Sequence, residues 1–234
     1  MIALIAVIPT AVGQAGYASA AGTAYGVDTA EVGDPGGCKV ESWASFANNR
    51  DRVTTANPSC VIDTLTPTEV SVQVQRARDD EGWGTSLTPK AKFRLIPTSI
   101  GSFGFAMATG ASIDPRTGDT SSVFAYVPAT LRLSEVVRIN LNGGWLQDRE
   151  ADRHFASWGA SVDWRFTQTL TLTVESFGIA GDSETRSETR PRFQSGIRYR
   201  PVDNFSADLI YGRNINGENA DWVTLSTTIR FGGK

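Results

Sequence analysis

Few residues in this chain could carry chemistry. Its single histidine, His154, stands in DRHFAS, where Asp152 and Ser157 invite a hydrolase with a histidine-activated serine. A strand starting there would put His154 on one face with Ala156, Trp158, Ala160 and Val162, and Ser157, Ser161 and Asp163 on the other, because side chains alternate along a strand. Nucleophile and base would then stand on opposite faces, and only a serine from a neighbouring strand could complete such a site. The reading is therefore a solvated rim histidine in a protein that is not an enzyme. One histidine and two cysteines give no zinc site of familiar spacing, and no glycine-rich loop joins a strand to a helix, so no cofactor or metal is expected. Cys38 and Cys60 instead flank a strand, a turn at NNRD and a second strand, with their midpoint, residue 49, inside the turn. Directly opposed residues of an antiparallel pair lie within disulfide range, so a Cys38–Cys60 bond is expected, and with it an oxidising compartment.

The remaining chemistry is charge, and its meaning depends on the elements that aim it. From Cys38 onward apolar and polar residues alternate in segment after segment, and no stretch holds helical spacing. In EVSVQVQRA, Val70, Val72 and Val74 share a face against Glu69, Ser71, Gln73 and Gln75. Twelve such segments are expected, at 38–47, 52–61, 67–77, 83–95, 101–113, 120–133, 136–147, 154–166, 169–179, 190–200, 204–213 and 220–231. Their links alternate between charged ones, such as RDDEG and QDREADR, and terse ones that often hold proline. Long loops on one rim and tight turns on the other describe an all-β, antiparallel up-and-down transmembrane β-barrel over residues 37–231. NGG at 142–144 could instead be a hairpin turn but keeps Ile139, Leu141 and Trp145 in phase, ten strands are the alternative if segments are split or mispaired, and bulges are expected where Pro89 and Pro128 interrupt strands.

Parity then aims the side chains. Lys90, Lys92, Arg94, Arg132, Arg138, Asp163, Arg165, Glu175, Arg192, Arg198, Arg200, Asp208 and Arg230 fall on the inward face, with Glu41 and Glu69. Phe103, Phe166, Tyr199, Phe205 and Phe231 fall on the outward face at the terse-turn end, and Trp83, Trp145, Trp158 and Tyr211 on the same face near the charged loops. Two aromatic girdles at the lipid headgroups are implied. A mixed-charge lumen is costly unless paired or wet. Two outcomes stay open: ion pairs that bridge the lumen and plug it, or water and a basic excess that make a narrow anion-favouring pore.

The first residues, MIALIAVIPTAV followed by YASAAG, read as a signal peptide over 1–20 cut after Ala20. Residues 21–36 show no periodicity and read as a flexible periplasmic lead-in. With 234 residues, 40% hydrophobic content and a net charge of -3, the chain is a folded domain with no basic surplus for nucleic acid. Its expected partners are outer-membrane lipids, small-molecule solutes and the barrel-assembly machinery, which the aromatic end of the last strand would address.

The stretch PRFQSGIRYRPVDNFSADLIYGRNINGENADWVTLSTTIRF resembles the outer-membrane β-barrel proteins of the MetA-pathway phenol-degradation (transporter) type, and the likeness runs from YGVDTAEVG to Phe231. That resemblance implies an exported, porin-like barrel in the bacterial outer membrane that passes small molecules, aromatic ones among them. It brings no catalytic residues. A structural or interaction barrel with a plugged lumen and exposed loops is the other class consistent with the sequence, and a lipid-modifying barrel enzyme a third.

Overall fold

The computed structural model describes residues 24–79, 82–181, 191–215 and 220–232. The expected signal segment 1–20 and the loop residues 182–190 lie outside them. Each expected segment forms a strand, with bounds moved by two residues at most: β1 (Cys38–Ala47), β2 (Arg52–Asp63), β3 (Pro67–Asp79), β4 (Gly82–Ile96), β5 (Phe103–Ile113), β6 (Thr120–Arg132), β7 (Val137–Asp148), β8 (Arg153–Arg165), β9 (Leu170–Gly181), β10 (Arg192–Val202), β11 (Phe205–Asn214) and β12 (Asp221–Phe231). Every strand pairs antiparallel with its sequence neighbours, and β12 returns to β1 from Cys38↔Phe231 to Ala47↔Trp222, which closes the barrel. Closure removes both sheet edges, as a wall surrounded by lipid requires.

The two faces sort as the alternation demands. Val70, Val72, Val74, Leu209, Leu225 and Ile229 stand half-exposed on the outer wall, whereas Asn57, Gln73, Thr130, Asn140, Ser206 and Thr228 are buried on the inner one. The aromatics Trp83, Phe103, Trp145, Trp158, Phe166, Tyr199, Tyr211 and Phe231 are likewise exposed outside, and Phe205 is partly buried on the same face. Asn142 and Gly143 pair with Pro128 and Val127 inside the β6–β7 ladder, so NGG is strand rather than turn, and twelve strands, not ten, close the barrel. Cys38 and Cys60 are direct partners in the β1–β2 ladder and are disulfide-bonded.

Two expectations need correction. Pro89 and Pro128 make no bulge. Register continues on both sides of each: Pro89 pairs with Val72 on β3 and Pro128 with Asn142 on β7, while pairing to β5 is merely interrupted beside them. An antiparallel residue directs its N–H to one neighbour only, so a missing donor thins one ladder and leaves the other whole. The register shifts fall instead at Arg94/Ile96, Ser112/Ile113 and Tyr199/Val202.

The larger correction concerns residues 24–36. The sequence reads there as a lead-in without fixed structure, yet Tyr25, Val27, Asp28, Ala30 and Val32 are buried inside the barrel. The physical reason is that the inner wall is not uniformly wet. Phe124, Tyr126, Leu146 and Phe155 cluster there with Ala108, and Phe177 and Ile210 are also buried, so the lumen holds apolar surface as well as charges for a segment to cover.

An arginine at Leu225, midway along the outer face of β12, should lower unfolding free energy in lipid by about 2–4 kcal/mol, as for a charge near the bilayer midplane. Denaturant titration of the protein in liposomes measures this. A loss well under about 1 kcal/mol would mean that this face does not meet hydrocarbon.

Candidate functional site

The site begins where the chain leaves β1. Gly36 has φ +85°, a backbone setting open to glycine, and it turns the chain from the rim into the lumen. The reversal is held by Gly36 N–H donating to Val61 O at 2.8 Å and Val61 N–H donating to Gly37 O at 2.8 Å. From there residues 35 to 24 run inward along the wall.

Each polar group of this segment meets a partner on a different strand. Glu31 lies between two arginines that are themselves register partners on β6 and β7, with Oε1 3.2 Å from Arg132 Nε and Oε2 2.7 Å from Arg138 Nη1. Ala30 N–H donates to Thr130 Oγ1 at 2.8 Å. Asp28 N–H donates to Asn142 Oδ1 at 2.7 Å, and Asn142 Nδ2 donates back to Asp28 O at 3.1 Å. The Asp28 carboxylate takes Lys92 Nζ at 2.9 Å and the Tyr126 hydroxyl at 2.8 Å, with Lys90 Nζ 3.7 Å away. Burial opposes the charge on Asp28, but Lys92 and Lys90 hold its carboxyl well below the usual carboxylate range.

Deeper in, Gly26 and Val27 give their N–H groups to the two oxygens of Glu175, at 2.5 and 3.2 Å, while Gln194 donates to Glu175 Oε1 at 2.6 Å and to Ala24 O at 3.3 Å. Tyr25 donates to Asp208 Oδ1 at 3.3 Å, and the Arg198 guanidinium lies 5.4 Å from its ring centre while pairing with Asp208 at 2.7 Å. Close approach is built in at Gly26, where a Cβ would stand 2.7 Å from the Phe177 ring, and at Gly159, where one would meet Val27 at 2.9 Å.

Between segment and wall remains a cavity of about 770 Å³ whose lining includes Arg94, Arg132, Arg198, Arg200 and Arg230. Among the described residues, Arg94, Arg200 and Arg230 form no ion pair, whereas Lys39 pairs with Glu41 and Glu69, and Arg138 with Asp163 as well as Glu31. The lining also carries carboxylates, Asp34 and Asp203 among them, so the three arginines are cations without a direct ion-pair partner in a cavity of mixed charge.

The expected inward set divides three ways. Lys90, Lys92, Arg132, Arg138, Glu175, Arg198 and Asp208 grip or brace the segment; Arg94, Arg200 and Arg230 line the cavity, with Asp163 fixed by Arg138, Asn140 and Thr173. Arg165 and Arg192 lie elsewhere. Arg165 is exposed at the terse-turn rim, where Nη2 donates to Glu135 O at 2.7 Å, and Arg192 begins β10 at the opposite end. Both keep the inward parity expected of them, Arg192 opposite the buried Phe177 and Arg165 in phase with Asp163; parity sets a face but not a depth. His154 is exposed on the outer wall, accepting from Trp145 Nε1–H at 3.2 Å, with Ser157 on the inner face.

Tyr25, Asp28 and Glu31 escaped the sequence reading. A signal existed: cations outnumber acids on the inward face, and apolar residues such as Phe124, Phe155 and Phe177 fall in phase with them. Both features ask for an occupant with carboxylates and apolar side chains, which YGVDTAEV supplies.

The family model described as uncharacterised conserved protein UCP029691 matches residues 10–231, and the chain belongs to that family. No curated protein matches the sequence. Among solved structures the chain is similar to the NanC porin, at 7% identity over 81% of this chain and 98% of that one with a TM-score of 0.64. It is similar to the KdgM porin, at 10% identity over 82% and 99% with a TM-score of 0.63. It is also similar to the COG4313 outer membrane channel from Pseudomonas putida F1, at 12% identity over 86% and 97% with a TM-score of 0.59. At these identities the likeness establishes the fold alone, the closed antiparallel β-barrel that these outer-membrane proteins share.

A valine at Gly26 collides with the Phe177 ring and should unseat the segment. A glutamate-specific protease is expected to cut after Glu31 in the Gly26→Val protein and to spare the wild type, with the barrel intact in both. Equal resistance of the two proteins would contradict the docking described.

Proposed function

We propose that this barrel is a porin-like channel that passes small organic anions across the outer membrane, with residues 24–36 as an internal plug that narrows the route. The observation that carries the reading is the cavity beside the segment, lined by Arg94, Arg200 and Arg230, none of which forms an ion pair among the described residues. Cations in a confined space of low dielectric attract mobile anions and exclude cations. The likeness of one similar barrel, described as KdgM porin in complex with disordered oligogalacturonate, supports a carboxylate-bearing solute. The resemblance of residues 191–231 to the MetA-pathway type supports aromatic acids within that class.

A structural barrel with a permanently plugged lumen is the competing reading, and the many buried bonds of the segment favour it. Planar-bilayer recording separates the two. Under a potassium chloride gradient the wild type should give a reversal potential on the anion-selective side, and Arg94→Gln, Arg200→Gln and Arg230→Gln should each move it toward the cation side. Proteoliposomes should also take up small carboxylates. No conductance and no uptake would exclude the channel and leave the structural barrel.

A further inference from the structure

We propose that Arg52, Arg76 and Arg78 form a docking site on the outer wall for the phosphate-bearing headgroup of an outer-leaflet glycolipid. The site lies on the opposite face of the wall from the cavity, so it stands whether or not the lumen conducts.

All three side chains point away from the lumen. Arg76 and Arg78 are exposed and continue the outer column of Val70, Val72 and Val74 on β3, while the alternate residues Gln73 and Gln75 are buried inside. Arg52 is exposed at the start of β2, in phase with the exposed Ile62 and out of phase with the buried Thr55, Asn57 and Ser59.

Register gathers the three cations. Arg52 and Arg78 are direct partners across the β2–β3 ladder, and the same row continues to Phe46 on β1 and Trp83 on β4. Two arginines are thus opposed between two exposed aromatics. The Cβ atoms of such partners stand about 5 Å apart, and like charges placed directly opposite destabilise a sheet. Arg76 starts about 7 Å from Arg78 along the strand, on the side of the hydrocarbon. Its guanidinium carbon lies 5.0 Å from the Trp83 ring centre, so the long side chain brings its charge back to the row of Arg78 and Trp83.

The wall does not answer this charge. Among the described residues none of the three lies within ion-pair distance of a carboxylate, whereas Arg213, the one other arginine facing out from a described strand, pairs with Asp221 at 3.8 Å. An anion placed between Arg52 and Arg78, within reach of Arg76, relieves the repulsion.

Depth selects the anion. Trp83 belongs to the girdle near the charged loops, and in barrels of this kind the long loops face the exterior while tight turns face the periplasm. The row therefore lies among the headgroups of the outer leaflet, whose lipid in bacterial outer membranes is a phosphorylated glycolipid. Guanidinium forks match phosphate oxygens and hold them by paired, charge-assisted hydrogen bonds. Acyl chains of the same molecule lie along Val74, Val72 and Val70, so one lipid meets both the cations and the apolar column. A free phosphate ion meets the cations alone.

Native mass spectrometry of the full chain in neutral detergent tests the site with bis-phosphorylated lipid A, its dephosphorylated form and inorganic phosphate. The wild type should retain lipid A and bind the dephosphorylated form about tenfold or more weakly, as loss of charge-assisted bonds requires. The triple variant Arg52→Gln, Arg76→Gln, Arg78→Gln should lose lipid A affinity by a similar factor, and Arg213→Gln should bind as the wild type does. Thermal unfolding in the same detergent adds a second readout. Without lipid, Arg52→Gln should unfold at the wild-type temperature or above it, because it removes a like-charge pair; with lipid A it should gain less than the wild type.

Equal binding of the two lipid forms would reduce the contact to acyl packing and overturn the proposal, as would wild-type affinity in the triple variant. Displacement of lipid A by equimolar inorganic phosphate would make this a site for the free ion and overturn the assignment to a lipid. A lower lipid-free unfolding temperature for Arg52→Gln would show that the protein itself balances the arginines, which also overturns it.

Discussion

A closed strand wall that turns more cations than carboxylates toward a confined interior needs counter-charge there, and the rest of this structure is arranged around that need. Asp28, held by Lys92, Lys90 and Tyr126, and Glu31, held by Arg132 and Arg138, supply it. Neither residue belongs to the barrel. Both arrive on a segment with no regular secondary structure, so its backbone donors must be satisfied by wall side chains: Glu175, Asn142 and Thr130 do so. Ions and amides are thus paired by the same docking event. Either set alone would leave the other buried and unsatisfied.

That arrangement depends on register. Lys90 and Lys92 face inward only because β4 alternates in phase with β3 and β5, and a slip of one residue would turn them to lipid and Ala91 and Phe93 to the lumen. The prolines respect this constraint, since Pro58, Pro89 and Pro128 each interrupt pairing to one neighbour and leave register intact to the other. The disulfide joins β1 and β2 at the rim where the segment turns inward, and the Gly36–Val61 and Val61–Gly37 hydrogen bonds lie beside Cys60. Wall and segment share that corner.

The wall was readable in the sequence because two-residue periodicity is a local property. Val70, Val72 and Val74 declare their face without reference to any other strand, and the same is true of Lys90, Lys92 and Arg94. The girdle aromatics followed from the same parity. The segment was not readable by that means: it docks through contacts such as Gly26 with Glu175, separated by well over a hundred residues, and irregular backbone carries no period. What could be read was the imbalance it corrects. Parity leaves depth undetermined, so it gives the face of Arg165 and Arg192 but not their places at opposite rims, and loop residues 182–190 offer composition alone.

The central claim is that residues 24–36 fill the lumen and limit passage through it. Single-channel conductance of the intact protein, compared with a chain lacking residues 24–36, tests it most directly. The account predicts a several-fold larger conductance without the segment, together with stronger anion selectivity, because Asp28 and Glu31 then no longer offset the cations of the wall. Equal conductance in the two proteins, or loss of anion selectivity on removal of the segment, would contradict it.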